Sequence, residues 1–367
     1  MNKLTQSPDE VLAIGEKVEA GERINFDEAF TLLEKADLFD LASLAHSIRM
    51  KKHPDPNVTY VIDRNINYSN ICDCGCRFCA FYVAPGQDGG FVISKEELGQ
   101  KIQETIDLGG TQILMQGGHH PDLPLSFYED MLRFIKDNYP VHIHAFSPPE
   151  VVYFSKLNGI SIKEVLERLI NAGLASIPGG GAEILVDEIR SKIAPNKCST
   201  AKWLEVMETA HNLGLRTTAT MMFGHVEEPA DRIKHLFAVR EVQDRTGGFT
   251  AFIPWTFQPD NTNIPDARKM TSVEYLRMLA VSRIVLDNID NVQVSWVTMG
   301  PKISQLALFY GGNDFGSTMI EENVVKAAGV SFRLSEAQIH NLIKKAGFVP
   351  KQRLMDYTLV EQTNGEC

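Results

Sequence analysis

Apolar residues recur at helical spacing through the first fifty residues, in the stretch SPDEVLAIGEKVEAGERINFDEAFTLLEKADLFDLASLAHSIRMKKH. Ser7 ahead of Pro8, Asp9 and Glu10 reads as a helix start. Residues 1–54 are therefore expected to form a helical extension that packs on the main domain. From about residue 57 the pattern changes to short strand-like runs. The expected strands are Val58–Asn67, Gln112–Gln116, Val141–Phe146, Ala175–Ile177, Arg216–Phe223, Phe249–Phe257 and Val292–Trp296, with a weak eighth through Leu306–Gly311. Amphipathic stretches such as Lys95–Leu108, Ile162–Ala172 and Thr200–Leu213 lie between them. Alternation at this spacing predicts a parallel sheet, and about eight units predict a (β/α)8 TIM barrel over residues 55–330. Residues 331–367 read as a small C-terminal appendage with one helix and a strand-like tail.

In such a barrel chemistry gathers at the C-terminal ends of the strands. Four polar, glycine-rich segments fall at those exits: Gln116-Gly117-Gly118-His119-His120, Ser147-Pro148-Pro149-Glu150, Pro178-Gly179-Gly180-Gly181-Ala182-Glu183 and Gly224-His225-Val226-Glu227. His142 and His144 alternate with Val141, Ile143 and Ala145, so both are expected on the lumen face together with Phe146. Histidines there suit a carboxylate or a proton, and the pattern does not choose between the two.

Composition narrows the class. The 367 residues carry a net charge of −11, with 44% hydrophobic and 23% charged residues. Phosphate binding needs a basic surface, so a nucleic-acid partner is not expected. No apolar run approaches the ~20 residues that cross a bilayer, and the N-terminus lacks the apolar core of a signal peptide. The expectation is a soluble, cytoplasmic protein.

Of six cysteines, Cys72, Cys74, Cys76 and Cys79 fall within eight residues, too close for an ordinary disulfide framework. Cys198 and Cys367 stand apart, as an ordinary thiol and a tail residue. Cys72, Cys76 and Cys79 form Cys-x3-Cys-x2-Cys directly after the first strand. Three thiolates on a [4Fe–4S] cluster leave one iron open, which can chelate an amino and a carboxylate group. Cys74 is expected to be a bystander facing away. Zinc is the alternative, but a structural zinc wants four well-spread ligands, and no second cysteine pair is present.

The triplet, with Phe78 ahead of the last cysteine, resembles the signature of the radical S-adenosylmethionine superfamily. The ending CRFCAF resembles the branch that holds aminofutalosine synthases, deazaflavin synthases and dehypoxanthine futalosine cyclases. The stretches ILMQGGHHPDLPLSFYEDMLRFIK, SIPGGGAEILVDEIR, TTATMMFGHVEE and QDRTGGFTAFIPWTFQP are most similar to the cyclases, over about residues 55–360. The resemblance implies a radical enzyme of menaquinone biosynthesis with a [4Fe–4S] cluster on Cys72, Cys76 and Cys79. It implies S-adenosylmethionine as cosubstrate, dehypoxanthine futalosine as substrate and an electron donor such as flavodoxin or ferredoxin.

It places Phe78, Phe81 and Met222 against adenine and gives Gln116, Gly117 and Gly118 to the methionine end. Here the family's Gly-Gly-Glu is shifted, so the side-chain contact changes. Gly224 and Glu227 match the family's Gly-x-x-Glu. Glu183 is a candidate for ribose hydroxyls, the methionine end or catalysis; a helix-start carboxylate is its plainer reading. His142 and His144 are candidates for catalysis and substrate binding, and His119 and His120 for substrate. Aminofutalosine synthase, a deazaflavin synthase, and a non-catalytic iron–sulfur or zinc protein remain as alternatives.

Overall fold

The computed structural model describes residues 8–264 and 266–361. Ser7 and Cys367 lie outside the described residues. The chain begins with three helices, α1 (Asp9–Glu19), α2 (Phe26–Lys35) and α3 (Leu38–Lys52). Helix α2 starts in a capping box: the Asn25 side chain accepts from the Glu28 N–H at 3.0 Å, and Glu28 accepts from the Asn25 N–H at 2.7 Å. α2 and α3 pack on the helices Pro229–Thr246 and Ser272–Val285.

The strands are β1 (Asn57–Val61), β2 (Asp63–Asn67), β3 (Gln112–Gln116), β4 (His142–Ala145), β5 (Ser176–Ile177), β6 (Arg216–Phe223), β7 (Phe249–Thr256), β8 (Asn291–Val292), β9 (Asp314–Ser317) and β10 (Val349–Gln352). β2 to β8 form one parallel sheet in chain order, and β1 lies between β10 and β9 in a second. Backbone bonds tie the two. Val294 N–H donates to Asp314 O at 2.9 Å and Asn313 N–H to Val292 O at 3.1 Å. On the other side Thr318 N–H reaches Val61 O at 2.9 Å and Ile320 N–H reaches Asp63 O at 3.1 Å. β9 and the residues after it thus join the two edges of the curled sheet, giving the expected barrel-type α/β fold.

Crossover helices clothe the outside. Ser94, Ser161, Ser199 and Thr271 each cap one by accepting the N–H three residues on. All five residues of β2 are buried, because one face meets helices and the other the lumen.

Three strand expectations need correction. The run Val58–Asn67 is two strands broken at Ile62, the first pairing with β9 and β10 and the second with β3. The weak eighth strand is not Leu306–Gly311, which is the end of a helix and a turn; it is Asp314–Ser317. The strand expected over Val292–Trp296 is Asn291–Val292, and Trp296 already starts a helix.

Phe146 also departs from its expected lumen face. Its φ of +62° turns the chain, and the ring packs edge-on to Tyr128 and Phe154 of the outer helices. Among the described residues no helix is long and apolar enough to cross a membrane.

Candidate active site at the barrel mouth

The cysteine loop leaves β2 and is pinned to three neighbouring segments. Cys72 N–H donates to Val83 O at 2.9 Å, and Asp73 N–H to His119 O at 3.1 Å, on the exit of β3. Arg77 N–H donates to Ile193 O at 2.8 Å, and its carbonyl accepts from Asn263 N–H at 2.7 Å. The Asn196 amide holds Cys74 O at 3.1 Å.

Within this frame Cys74 does not face away. It is buried, and its Sγ lies 3.4 Å from that of Cys76. Hydrogen bonding to the Cys74 thiol, the largest influence, brings Cys72 down to about 6 and lowers Cys76, whereas Cys74 itself is pushed up. Its position follows from Gly75, whose φ of +61° folds the loop tightly enough to return the intervening thiol toward its neighbours. Burial pushes the Cys79 thiol up.

The donor set fits a cubane better than a single ion. Among the described residues no three His, Cys, Asp or Glu side chains converge as one bound ion requires. A cubane instead spreads its thiolates over different irons. The zinc alternative lacks its geometry here.

Lys197 is the charged residue that sequence reasoning missed. Its Nζ sits 2.6 Å from Glu183 and 4.8 Å from the centre of the Phe78 ring. Burial opposes its charge, but the neighbouring Cys76 and Glu183 outweigh burial and hold the ammonium form. Glu183 is buried with φ +43°, and its carbonyl accepts from Met222 N–H at 3.1 Å. Its helix begins only at Asp187, so the carboxylate answers to Lys197 and not to a helix dipole. Lys197 stands alone in the loop Asn196-Lys197-Cys198, and no period or motif marks it.

Gly117 and Gly118 have a structural reason to be glycine. A Cβ at Gly117 would stand 2.3 Å from the Tyr68 ring, and one at Gly118 2.1 Å from Ile71 O. They let β3 exit directly beneath the cysteine loop. Glu150, which the sequence placed at a polar strand exit without a role, sits behind them. It accepts from Tyr68 Oη at 2.6 Å, Ser147 Oγ at 2.5 Å and Gly117 N–H at 3.2 Å.

Glu227 is spent on its own loop. It accepts from Gly224 N–H at 2.6 Å, His225 N–H at 2.9 Å and Arg232 Nε at 2.8 Å, which pins the exit of β6. Met222 is buried on the β6 face that also carries Thr218 and Thr220. Phe81 packs edge-on to Phe91.

Below the mouth a cavity of about 270 Å³ fills the lumen. Gln116 and Gly180 line its upper part, His144, Thr218, Thr220 and Trp255 its wall, and Asp63, Gln112 and Arg353 its base. His144 is thus on the lumen as expected. His142, half-buried, is not part of the wall. His119 and His120 flank the cysteine loop instead: the His119 ring stacks on Tyr153 at 4.6 Å, and His120 Nδ1 accepts from Asp122 N–H at 3.2 Å.

Comparison with known proteins gives the family. Residues 66–239 match the family model described as the radical SAM superfamily, and residues 246–365 match the CofH/MqnC C-terminal region. The chain is 48% identical over 346 residues to the cyclic dehypoxanthine futalosine synthase of Halalkalibacterium halodurans, covering 94% of each chain. The chain belongs to the radical S-adenosylmethionine superfamily.

Another relative within it, the cyclic dehypoxanthine futalosine synthase of Streptomyces coelicolor, is 44% identical over 93% of this chain and 87% of its own. A third, from Archaeoglobus fulgidus, is named 5-amino-6-(D-ribitylamino)uracil–L-tyrosine 4-hydroxyphenyl transferase; it is 43% identical over 83% of this chain and 89% of its own. Among solved structures the hydrogenase maturase HydG shares the fold with a TM-score of 0.74 at 17% identity, over 93% of this chain and 75% of that one. Methylornithine synthase does so at 0.71 and 18%, over 92% and 97%. As a member of this superfamily the protein is an enzyme, and the glycine-rich exit of β3 lies directly beneath its cysteine loop.

Proposed function

We propose that this radical S-adenosylmethionine enzyme closes dehypoxanthine futalosine to cyclic dehypoxanthine futalosine in menaquinone biosynthesis. The observation that carries the reading is the 48% and 44% identity to two synthases of that name over nearly the whole chain. Cys72, Cys76 and Cys79 would hold the [4Fe–4S] cluster. With S-adenosylmethionine bound it supplies a 5′-deoxyadenosyl radical once reduced by a donor of the flavodoxin or ferredoxin class.

The protein's own residues then position and shield. Phe78, Phe81 and Met222 are assigned to adenine, and the β3 exit at Gln116, Gly117 and Gly118 to the methionine end. Glu183, held by Lys197, presents a fixed carboxylate beside them, while Glu227 keeps the β6 exit and Gly224 in place. The lumen cavity, with His144 on its wall, receives the substrate and keeps water from the sugar radical. His119 and His120 contact whichever part of the substrate reaches the cysteine loop. The substrate loses its C4′ hydrogen, the sugar carbon bonds to the benzoate ring, and loss of one electron and one proton restores aromaticity.

The experiment is anaerobic turnover of the reconstituted enzyme with C4′-deuterated dehypoxanthine futalosine. Deuterium in 5′-deoxyadenosine together with the cyclic product supports the reading; undeuterated 5′-deoxyadenosine with no cyclic product overturns it. The archaeal relatives at about the same identity favour one second reading, transfer of the tyrosine hydroxyphenyl group to ribitylaminouracil. Tyrosine and 5-amino-6-(D-ribitylamino)uracil supplied to the same preparation should give no adduct.

A further inference from the structure

The reaction proposed above removes a proton from the ring carbon deep in a closed barrel, and that proton needs a way out. One lumen histidine has such a way. His144 lines the cavity, and its Nδ1 lies 2.6 Å from Ser176 Oγ. The same Oγ lies 2.6 Å from Nε2 of His142. β4 and β5 impose this arrangement, because His144 and Ser176 are paired in register and His142 shares the face of His144 two residues earlier. His144 is buried, Ser176 is 1% exposed and His142 is half-buried at the N-terminal end of its strand. The series runs from the lumen toward the opposite end of the barrel from the cysteine loop.

We infer that His144, Ser176 and His142 form a proton-exit chain that carries the ring proton from the cavity to solvent. The inference rests on the cyclase reading. A hydroxyl has one proton and can donate to one imidazole while accepting from the other, so the two short contacts define a directed chain. The ring proton goes to His144 Nε2, the Nδ1 proton passes to Ser176 Oγ, the hydroxyl proton passes to His142 Nε2, and His142 releases its Nδ1 proton to water. The electron of the same step goes to a one-electron acceptor of the iron–sulfur class, so one C–H bond is broken and its proton and electron are both placed.

Burial lowers the proton affinity of both imidazoles, most strongly at His144. Such a residue passes a proton on instead of keeping it, and proton loss that restores an aromatic ring needs only a weak base. The other titratable groups on this cavity lack such a route. Asp63 is closed in by Ser317 and Gln112, and Arg353 is paired with Asp314. Glu322 is held by three backbone N–H groups at Val324, Val325 and Lys326. Burial is the main influence on His142, and the charge of Asp356 acts in the opposite sense.

The test uses the reconstituted full-length holoenzyme with C4′-deuterated dehypoxanthine futalosine. In Ser176→Ala the ratio of cyclic product to 5′-deoxyadenosine should fall at least tenfold, within the range of lost proton-transfer assistance. A substrate-derived radical should accumulate by electron paramagnetic resonance. Ser176→Thr, which keeps a hydroxyl, should recover most of the ratio. His142→Gln, which keeps a hydrogen bond but passes no proton, should lose it as Ser176→Ala does, and covers the case in which the alanine variant does not fold. A ratio in either variant equal to that of the parent overturns the chain while leaving the cyclase reading intact. Absence of deuterium in the parent's 5′-deoxyadenosine overturns both.

Discussion

At the scale of single residues, Glu150 shows how the site is braced. Three donors converge on its carboxylate, yet burial outweighs them and lifts it to about 7 from an ordinary 4.5. Between those values the folded chain keeps a proton that the unfolded chain has lost, so this group's contribution to stability declines as pH rises through the window. Comparison with Glu150→Gln isolates it. The stability difference, parent minus variant, should fall by up to about 3 kcal/mol from pH 4.5 to 7 and level off above. Denaturant unfolding at pH 5 and pH 7.5 reads it, and parallel curves would show that the carboxyl is already ionised at pH 5.

The cysteines carry a sharper expectation. Cys76→Ala should abolish 5′-deoxyadenosine formation and lower bound iron, measured after anaerobic reconstitution; activity that survives would remove the cluster assignment. The grouping of Cys72, Cys76 and Cys79 was legible from spacing together with resemblance, and the lumen position of His144 from alternation, whereas the turn of Cys74 toward Cys76 was not. Lys197 and Ser176 were not legible either, since each acts through a partner more than ten residues away that no local pattern reveals.

At the scale of elements, long strands with apolar faces were readable and short ones were not. β3 and β6 match their expected bounds, whereas β9 is Asp314-Phe315-Gly316-Ser317, a polar segment with no strand-like alternation. Its burial depends on β10 and the turn after it. Arg353 sits over Tyr357 and pairs with both oxygens of Asp314, and both members of the pair are buried. Such a pair is a requirement more than a gain: removing one partner strands the other charge at a cost of about 3–5 kcal/mol. Arg353→Met should therefore lower Tm by several degrees, and adding Asp314→Asn should recover part of that loss. A melting curve unchanged in Arg353→Met would mean that β9 does not depend on this pair. The apolar run Leu306–Gly311 misled because a short apolar stretch reads equally as strand or helix end, and only the register of β9 against β1 and β8 decides it.

At the scale of the molecule, closure of the ring is uneven, and that unevenness has a measurable consequence. β6 and β7 pair through seven residues, whereas β8 meets β9 through a single bridge, Gln293 with Asp314, flanked by two backbone bonds. With each net backbone bond worth about 0.5–1.5 kcal/mol, the β8–β9 seam holds several kcal/mol less than the β6–β7 pair. Local opening follows such differences, since amides exchange through the least costly unfolding that frees them. Peptides covering residues 291–296 and 312–320 should therefore exchange their amide hydrogens well before those covering 216–223 and 249–256. Arg353→Met should widen the gap, because the charge it strands lies on β9 itself. Equal protection on both sides would mean that the barrel opens only as a whole, and that β10 is as much a part of its cooperative unit as β6.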